Sequence, residues 1–215
     1  MLKFNKVSFS YGDKTILSDF ELSMADEERI AILGHSGSGK TTLLKLASGL
    51  EKAKSGTVET SFKKASFLFQ EDRLLPWCSA KENLTFVGAS DELSQKLLDA
   101  TGIGEYSDKL PEELSGGMKR RLAIARALAI GADAFFIDEP LHGLDLKSAK
   151  DMLSLISEKI KGKSAFIITH SPEEAFKLAQ RIIIVGERPL KILADRKISD
   201  FKDGEELKQF VKNVI

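Results

Sequence analysis

The chain has 215 residues, 42% hydrophobic and 30% charged, enough to bury a full core as one compact globular domain. Its 32 basic and 32 acidic residues cancel, so no overall field draws it to nucleic acid or an anionic membrane. The single cysteine, Cys78, excludes an internal disulfide, and no window approaches the about 20 apolar residues that a membrane-crossing helix needs.

In chain order, Leu2–Ser10 and Ile16–Ser23 have strand-like composition around a Tyr-Gly-Asp-Lys turn, and the N-terminus lacks the unbroken apolar stretch of a secretion signal. Arg29–Leu33 is a short β-branched run, predicted as a buried strand that ends at Gly34. After a glycine-rich loop, Lys40–Ser48 carries Leu43, Leu44, Leu46 and Ala47 at helical spacing. Gly56–Thr60 and Ala65–Phe69 are predicted strands.

From Ser79 to Ala129 the pattern turns mostly helical, punctuated by Pro111 and Gly116-Gly117. Alternation then returns: strand Ala134–Ile137, helix Leu146–Ile160, strand Ser164–Ile168, helix Pro172–Ala179, strand Arg181–Val185 and a last helix Gly204–Val214. Such alternation predicts an α/β fold with a mostly parallel core sheet, an N-terminal antiparallel β region and an inserted helical lobe. Approximate bounds are 1–75 and 130–215 for the core and 76–129 for the lobe.

Gly34-His35-Ser36-Gly37-Ser38-Gly39-Lys40-Thr41 fits G-x-x-x-x-G-K-[ST], and Thr42 follows. Glycines let the backbone curl so that successive N–H groups point at phosphate oxygens, and the helix start favours an anion. Lys40 suits the β- and γ-phosphates of a nucleotide, and the Thr41 hydroxyl suits Mg²⁺; His35 occupies a variable position. Downstream, Ala134–Ile137 delivers Asp138 and Glu139 to a strand's carboxyl end, where open α/β sheets bind ligands. Asp138 is predicted to hold the Mg²⁺ hydration shell and Glu139 to polarise the attacking water. No Asn-Lys-x-Asp tetrad occurs, which argues against a GTPase.

Leu114-Ser115-Gly116-Gly117-Met118 resembles the signature loop of ATP-binding-cassette (ABC) ATPases and precedes Asp138-Glu139 at that family's spacing. The resemblance spans nearly the whole chain. It implies a P-loop NTPase that hydrolyses ATP with Mg²⁺ inside a head-to-tail dimer, where Ser115, Gly116 and Gly117 close over nucleotide held by a second copy. It also assigns Tyr11 to adenine stacking, Gln70 to Mg²⁺ and water, Asp145 to the dimer-contacting turn, and His170 to the γ-phosphate. Gln70-Glu71-Asp72-Arg73-Leu74-Leu75-Pro76-Trp77 looks like importer ATPases of the nitrate, sulfonate and taurine group. That likeness implies separate transmembrane permease subunits, a substrate-binding protein, and a cytoplasmic position held peripherally on the plasma membrane by the permease. Leu74, Leu75 and Trp77 are read either as a docking surface for a permease helix or as plugs of the helical lobe. Several positions depart from the pattern: Arg120 replaces a usual glutamine, His142-Gly143 a small pair, and Ser171 an acid. Rival functions within the family are a regulator of a membrane complex and a soluble machine working on DNA or ribosomes.

Overall fold

The computed structural model describes residues 1–215. Strands β1 (Leu2–Tyr11), β2 (Lys14–Met24) and β4 (Ser55–Thr60) form an antiparallel sheet in the order β2-β1-β4. Along β1 the inward set is Leu2 and Phe4, then Val7 and Phe9, so the apolar phase slips by one residue. A one-residue slip would turn half the strand inside out. The chain absorbs it as a bulge between Phe4 and Val7, with Lys6 at φ 47°. Opposite the bulge lies Gly56, at φ 77°, where an added Cβ would sit 2.5 Å from the Asn5 carbonyl oxygen and closer still to that of Lys6. Gly56→Ala is therefore expected to cost at least about 2 kcal/mol, read as a lower urea midpoint at unchanged slope.

The second sheet holds β3 (Arg29–Leu33), β5 (Ala65–Leu68), β6 (Ala134–Asp138), β7 (Ser164–Ile168), β8 (Arg181–Val185) and β9 (Ile192–Lys197), in the order β5-β6-β7-β3-β8-β9. Every pairing is parallel except that of β9 with β8. The central strands are apolar at nearly every position because both faces are covered. Ile30, Ile32, Phe136, Phe166 and Ile168 pack towards the antiparallel sheet and helix α1 (Lys40–Ala47). Ala31, Leu33, Ile137 and Ile167 join the opposite core with α4 (Gly116–Ala129), α5 (Leu146–Lys159), α6 (Pro172–Leu178) and α7 (Gly204–Val214).

The segment expected to be mostly helical contains α2 (Ala80–Thr85), α3 (Asp91–Ala100) and α4, with two short 3-10 turns between α3 and α4. Its own core joins Leu84, Leu97, Leu98, Ile103, Leu114, Leu122 and Ala125. Strand β9 lacks a sequence signal because it is an exposed edge without apolar alternation. It is held by tertiary contacts, notably a forked pairing of Arg181 with Asp195 at 2.7 and 2.6 Å. The strand order makes β5, β6, β7 and β3 neighbours, so their carboxyl ends open onto one place.

Candidate functional site

Between β3 and α1 the loop Gly34–Gly39 doubles back on itself. Gly37 and Gly39 have φ of 79° and 113°, values that suit glycine. An added Cβ at Gly34 would lie 2.5 Å from the Val185 carbonyl oxygen, and one at Gly39 would lie 2.7 Å from Ile16 Cγ2. The chain thus passes where only glycine fits. Gly39 precedes α1 and offers no side-chain cap, so the donors of the first turn are free for an anion. The Ser38 hydroxyl is buried without a partner inside the loop. An orphaned hydroxyl beside uncapped amides fits a polyanionic phosphate group.

Lys40 is buried, and its Nζ donates to the carbonyls of Gly34 at 2.7 Å and His35 at 2.8 Å. Burial pushes its ammonium below the usual lysine value, while Glu139 and Asp138 act against that shift. The Thr41 hydroxyl donates to Asp138 Oδ2 at 3.0 Å. Burial pushes the Asp138 carboxyl above its ordinary value and Glu139 reinforces this, against Thr41, Lys40 and Arg120. Glu139 is a non-glycine residue at φ 48°, and its N–H donates to the Ile168 carbonyl at 2.9 Å. Its carboxylate Oε2 lies 2.8 Å from His170 Nδ1. Ser36, Gly37, Gly39, Lys40, Thr41, Thr42, Gln70, Asp138 and Glu139 line one cleft of about 330 Å³, together with Ile168 and Arg188. A lysine, a hydroxyl, an amide and two carboxylates facing a glycine cradle can bind a nucleotide triphosphate and direct water at it. No group of three or more His, Cys, Asp or Glu side chains gathers as a resident metal site. The oxygens of Thr41, Gln70 and Asp138 fit instead a hard cation that shares its coordination with phosphates and water.

The protein family described as ABC transporter matches residues 17–142, more than half of the chain. The chain belongs to the ABC transporter family. It is an ATP-binding-cassette ATPase, related to curated importer subunits. An aliphatic sulfonates import ATP-binding protein, SsuB, of Pectobacterium atrosepticum is 38% identical, over 86% of this chain and 74% of that protein. A taurine import ATP-binding protein, TauB, of Jannaschia sp. is 34% identical, over 94% and 82%. Among solved structures, the dimeric structure of MJ0796, a bacterial ABC transporter cassette, superposes with a TM-score of 0.82 at 26% identity, over 92% of this chain and 99% of that one. The same cassette has been solved as a dimer in a post-hydrolysis state bound to ADP and Pi.

Ser115, Gly116, Gly117, Asp145 and Tyr11, singled out by the ABC resemblance, do not line the cleft. Ser115 caps α4, its hydroxyl accepting from the Met118 N–H at 3.3 Å, and Gly116 and Gly117 form the first turn. Asp145 caps α5, taking both first-turn amides at 3.0 Å and the Ser148 hydroxyl at 2.5 Å. Tyr11 is exposed at the end of β1, its ring edge-on to Phe9 and its hydroxyl donating to Glu51 at 3.3 Å. His35 is an exposed loop residue that contributes its carbonyl to Lys40. The apolar cluster divides. Leu74 packs against two cores, whereas Trp77 is 74% exposed.

Two arginines and an asparagine in or around the site gave no usable sequence signal. Arg188, from the β8–β9 loop, lines the cleft beside the phosphate loop, its Nη2 3.9 Å from where a Cβ on Gly37 would lie. Asn83 is fully buried and organises the turn after Gln70 through Leu75, Cys78 and Ser79. Arg126 donates to the carbonyls of Asp72 and Arg73. Ser171, one of the departures from the ABC pattern, caps α6 by accepting from the Glu174 N–H at 3.3 Å.

Proposed function

We propose that this chain is the ATP-hydrolysing subunit of a membrane importer, working as a head-to-tail dimer with ATP between two copies. The carrying observation is the pairing of Glu139 with His170 at 2.8 Å beside the Thr41–Asp138 contact, all at the rim of the glycine cradle. In this reading one copy grips the triphosphate through the amides of residues 34–42, with Lys40 and His170 on the γ-phosphate. Thr41, Gln70 and Asp138 hold Mg²⁺, which when bound neutralises phosphate charge and polarises the phosphorus. Glu139 orients the attacking water and accepts its proton, and His170 keeps the carboxylate aimed. Tyr11, exposed at the end of β1, supplies the adenine contact.

Ser115, Gly116 and Gly117 start α4 and form an anion-favouring helix end outside the cleft, which suits nucleotide held by another copy. The dimers formed by the solved MJ0796 cassette support this arrangement. Asp145 lies in the turn that meets the second copy. The whole chain acts as one nucleotide-binding domain, with residues 76–129 as the lobe that carries Ser115.

No helix of the chain is long and apolar enough to cross a membrane. In this reading separate permease subunits span it. The names of the SsuB and TauB relatives support import. In this reading a substrate-binding protein works on the far side, and this subunit is peripheral on the cytoplasmic face. Trp77, exposed in the segment that follows Gln70, is the anchor for a permease helix.

The test has two stages. ATP with Mg²⁺ at 100 times its dissociation constant is expected to stabilise the protein by about 2.7 kcal/mol in thermal unfolding. Light scattering with a non-hydrolysable analogue is then expected to detect a dimer that Ser115→Arg abolishes without loss of ATP binding. Persistent monomers, with or without membrane partners, would overturn the dimer reading. Recovery of a multi-span permease with the tagged chain separates an importer from a soluble machine.

A further inference from the structure

Arg120 projects from the second turn of α4 and is 2% exposed. Its Nε donates to the Pro140 carbonyl at 2.8 Å. Nη1 donates to the carbonyls of Phe69 at 2.7 Å and Gln70 at 3.2 Å, and meets Asp72 Oδ1 at 3.3 Å. Nη2 donates to the carbonyls of Asp138 at 3.3 Å and Glu139 at 2.6 Å. One planar fork thus joins three parts of the chain: helix α4, the exit of β5 that leads into Gln70, and the carboxyl end of β6.

Such a cost in buried charge needs a reason, since a well-packed apolar residue avoids it. Glu139 supplies one. At φ 48° it occupies a region that a non-glycine residue holds only when its surroundings over-determine it. Its peptide is pinned on one side by the Ile168 carbonyl and on the other by Arg120. Glutamine, usual here by the resemblance described above, has two N–H donors against the five of guanidinium, so it cannot reproduce this clamp.

We infer that Arg120 is a positioning residue which, through the carbonyls of Glu139 and Gln70, fixes the catalytic acid and the cleft amide relative to the helix that begins at Ser115. It touches neither the phosphate loop nor Lys40, so its effect belongs to turnover rather than to ATP capture. The inference rests on Glu139 being the acid, and the experiment separates the two claims.

ATP hydrolysis and nucleotide affinity are measured for Arg120→Lys, Arg120→Gln, Glu139→Gln and the double variant Arg120→Lys/Glu139→Gln. Arg120→Lys keeps the charge and stem but loses the fork. Its kcat is expected to fall at least about tenfold, with ATP affinity within about threefold of wild type. Arg120→Gln, the smaller and uncharged alternative, should show the same split if the lysine variant folds poorly. Because Arg120 acts through Glu139 and Gln70, the double variant should lose less single-turnover activity than the product of the two single losses. Wild-type kcat in both Arg120 variants, a parallel loss of ATP affinity, or losses that multiply in the double variant would overturn the role of Arg120. Full turnover in Glu139→Gln alone would overturn the reading of Glu139 instead.

Discussion

Glu139→Gln is expected to cut steady-state ATP turnover by at least ~10²-fold, equivalent to about 2.7 kcal/mol in the barrier. The substitution preserves size and backbone but removes the negative charge that can take a proton from water. Phosphate binding relies on the glycine cradle and on Lys40, whose Nζ contacts are with Gly34 and His35, so ATP affinity should persist. The amide also cannot pair with His170 as the carboxylate does at 2.8 Å. With capture intact and release blocked, the variant should accumulate as an ATP-bound dimer in light scattering. Phosphate release at the wild-type rate would remove Glu139 from the mechanism.

Asp138→Asn is expected to act in opposite directions on stability and on activity. Burial raises the carboxyl pKa above its ordinary 3.8, so the folded state holds that proton more tightly than the unfolded chain does. The stabilising contribution of the protonated form is complete below 3.8 and is lost as pH rises through the raised folded value. Where it is ionised, the 3% exposed aspartate is therefore a net cost to the nucleotide-free protein. Asparagine removes that cost and can still accept from the Thr41 hydroxyl. The melting temperature without nucleotide should rise at pH 7, and the gain should shrink as pH is lowered towards the ordinary carboxylate range. Activity should meanwhile fall by roughly 10²-fold or more, because a neutral amide is a weak partner for a hard divalent cation. The stabilisation that Mg²⁺ adds to ATP should fall with it. A variant that melts lower at pH 7, or one that keeps full Mg²⁺-dependent turnover, contradicts this account of Asp138.

Both predictions concern residues that the sequence alone singled out, and the reason is local. The phosphate loop lies within eight consecutive positions, and Asp138-Glu139 ends a run of four apolar residues. Their chemistry follows from a strand end or a helix start, features encoded by neighbours in the chain. Arg120 was visible only as a departure from a family pattern, with no partner attached to it. Those partners lie up to 51 positions away, so nothing in its neighbourhood could announce a buried guanidinium clamp.

The same division runs through the fold. Continuous apolar runs such as Ile182–Val185 identify a strand covered on both faces, and helical spacing of apolar residues identifies α5, because burial imposes a period on the chain that forms it. Strand β9 carries no such period, since its side chains are largely exposed and its pairing depends on β8 and the Arg181–Asp195 fork. Leu74 and Trp77 were one apolar cluster in the sequence; only packing separates a side chain wedged between two cores from one left in solvent. The sequence by itself determined the sheet-and-helix alternation, the phosphate loop and the acids, because each depends on residues a few positions apart. Tertiary structure alone decided which cations and amides face them, because those contacts are made by segments that meet only when the strands take the order β5-β6-β7-β3-β8-β9.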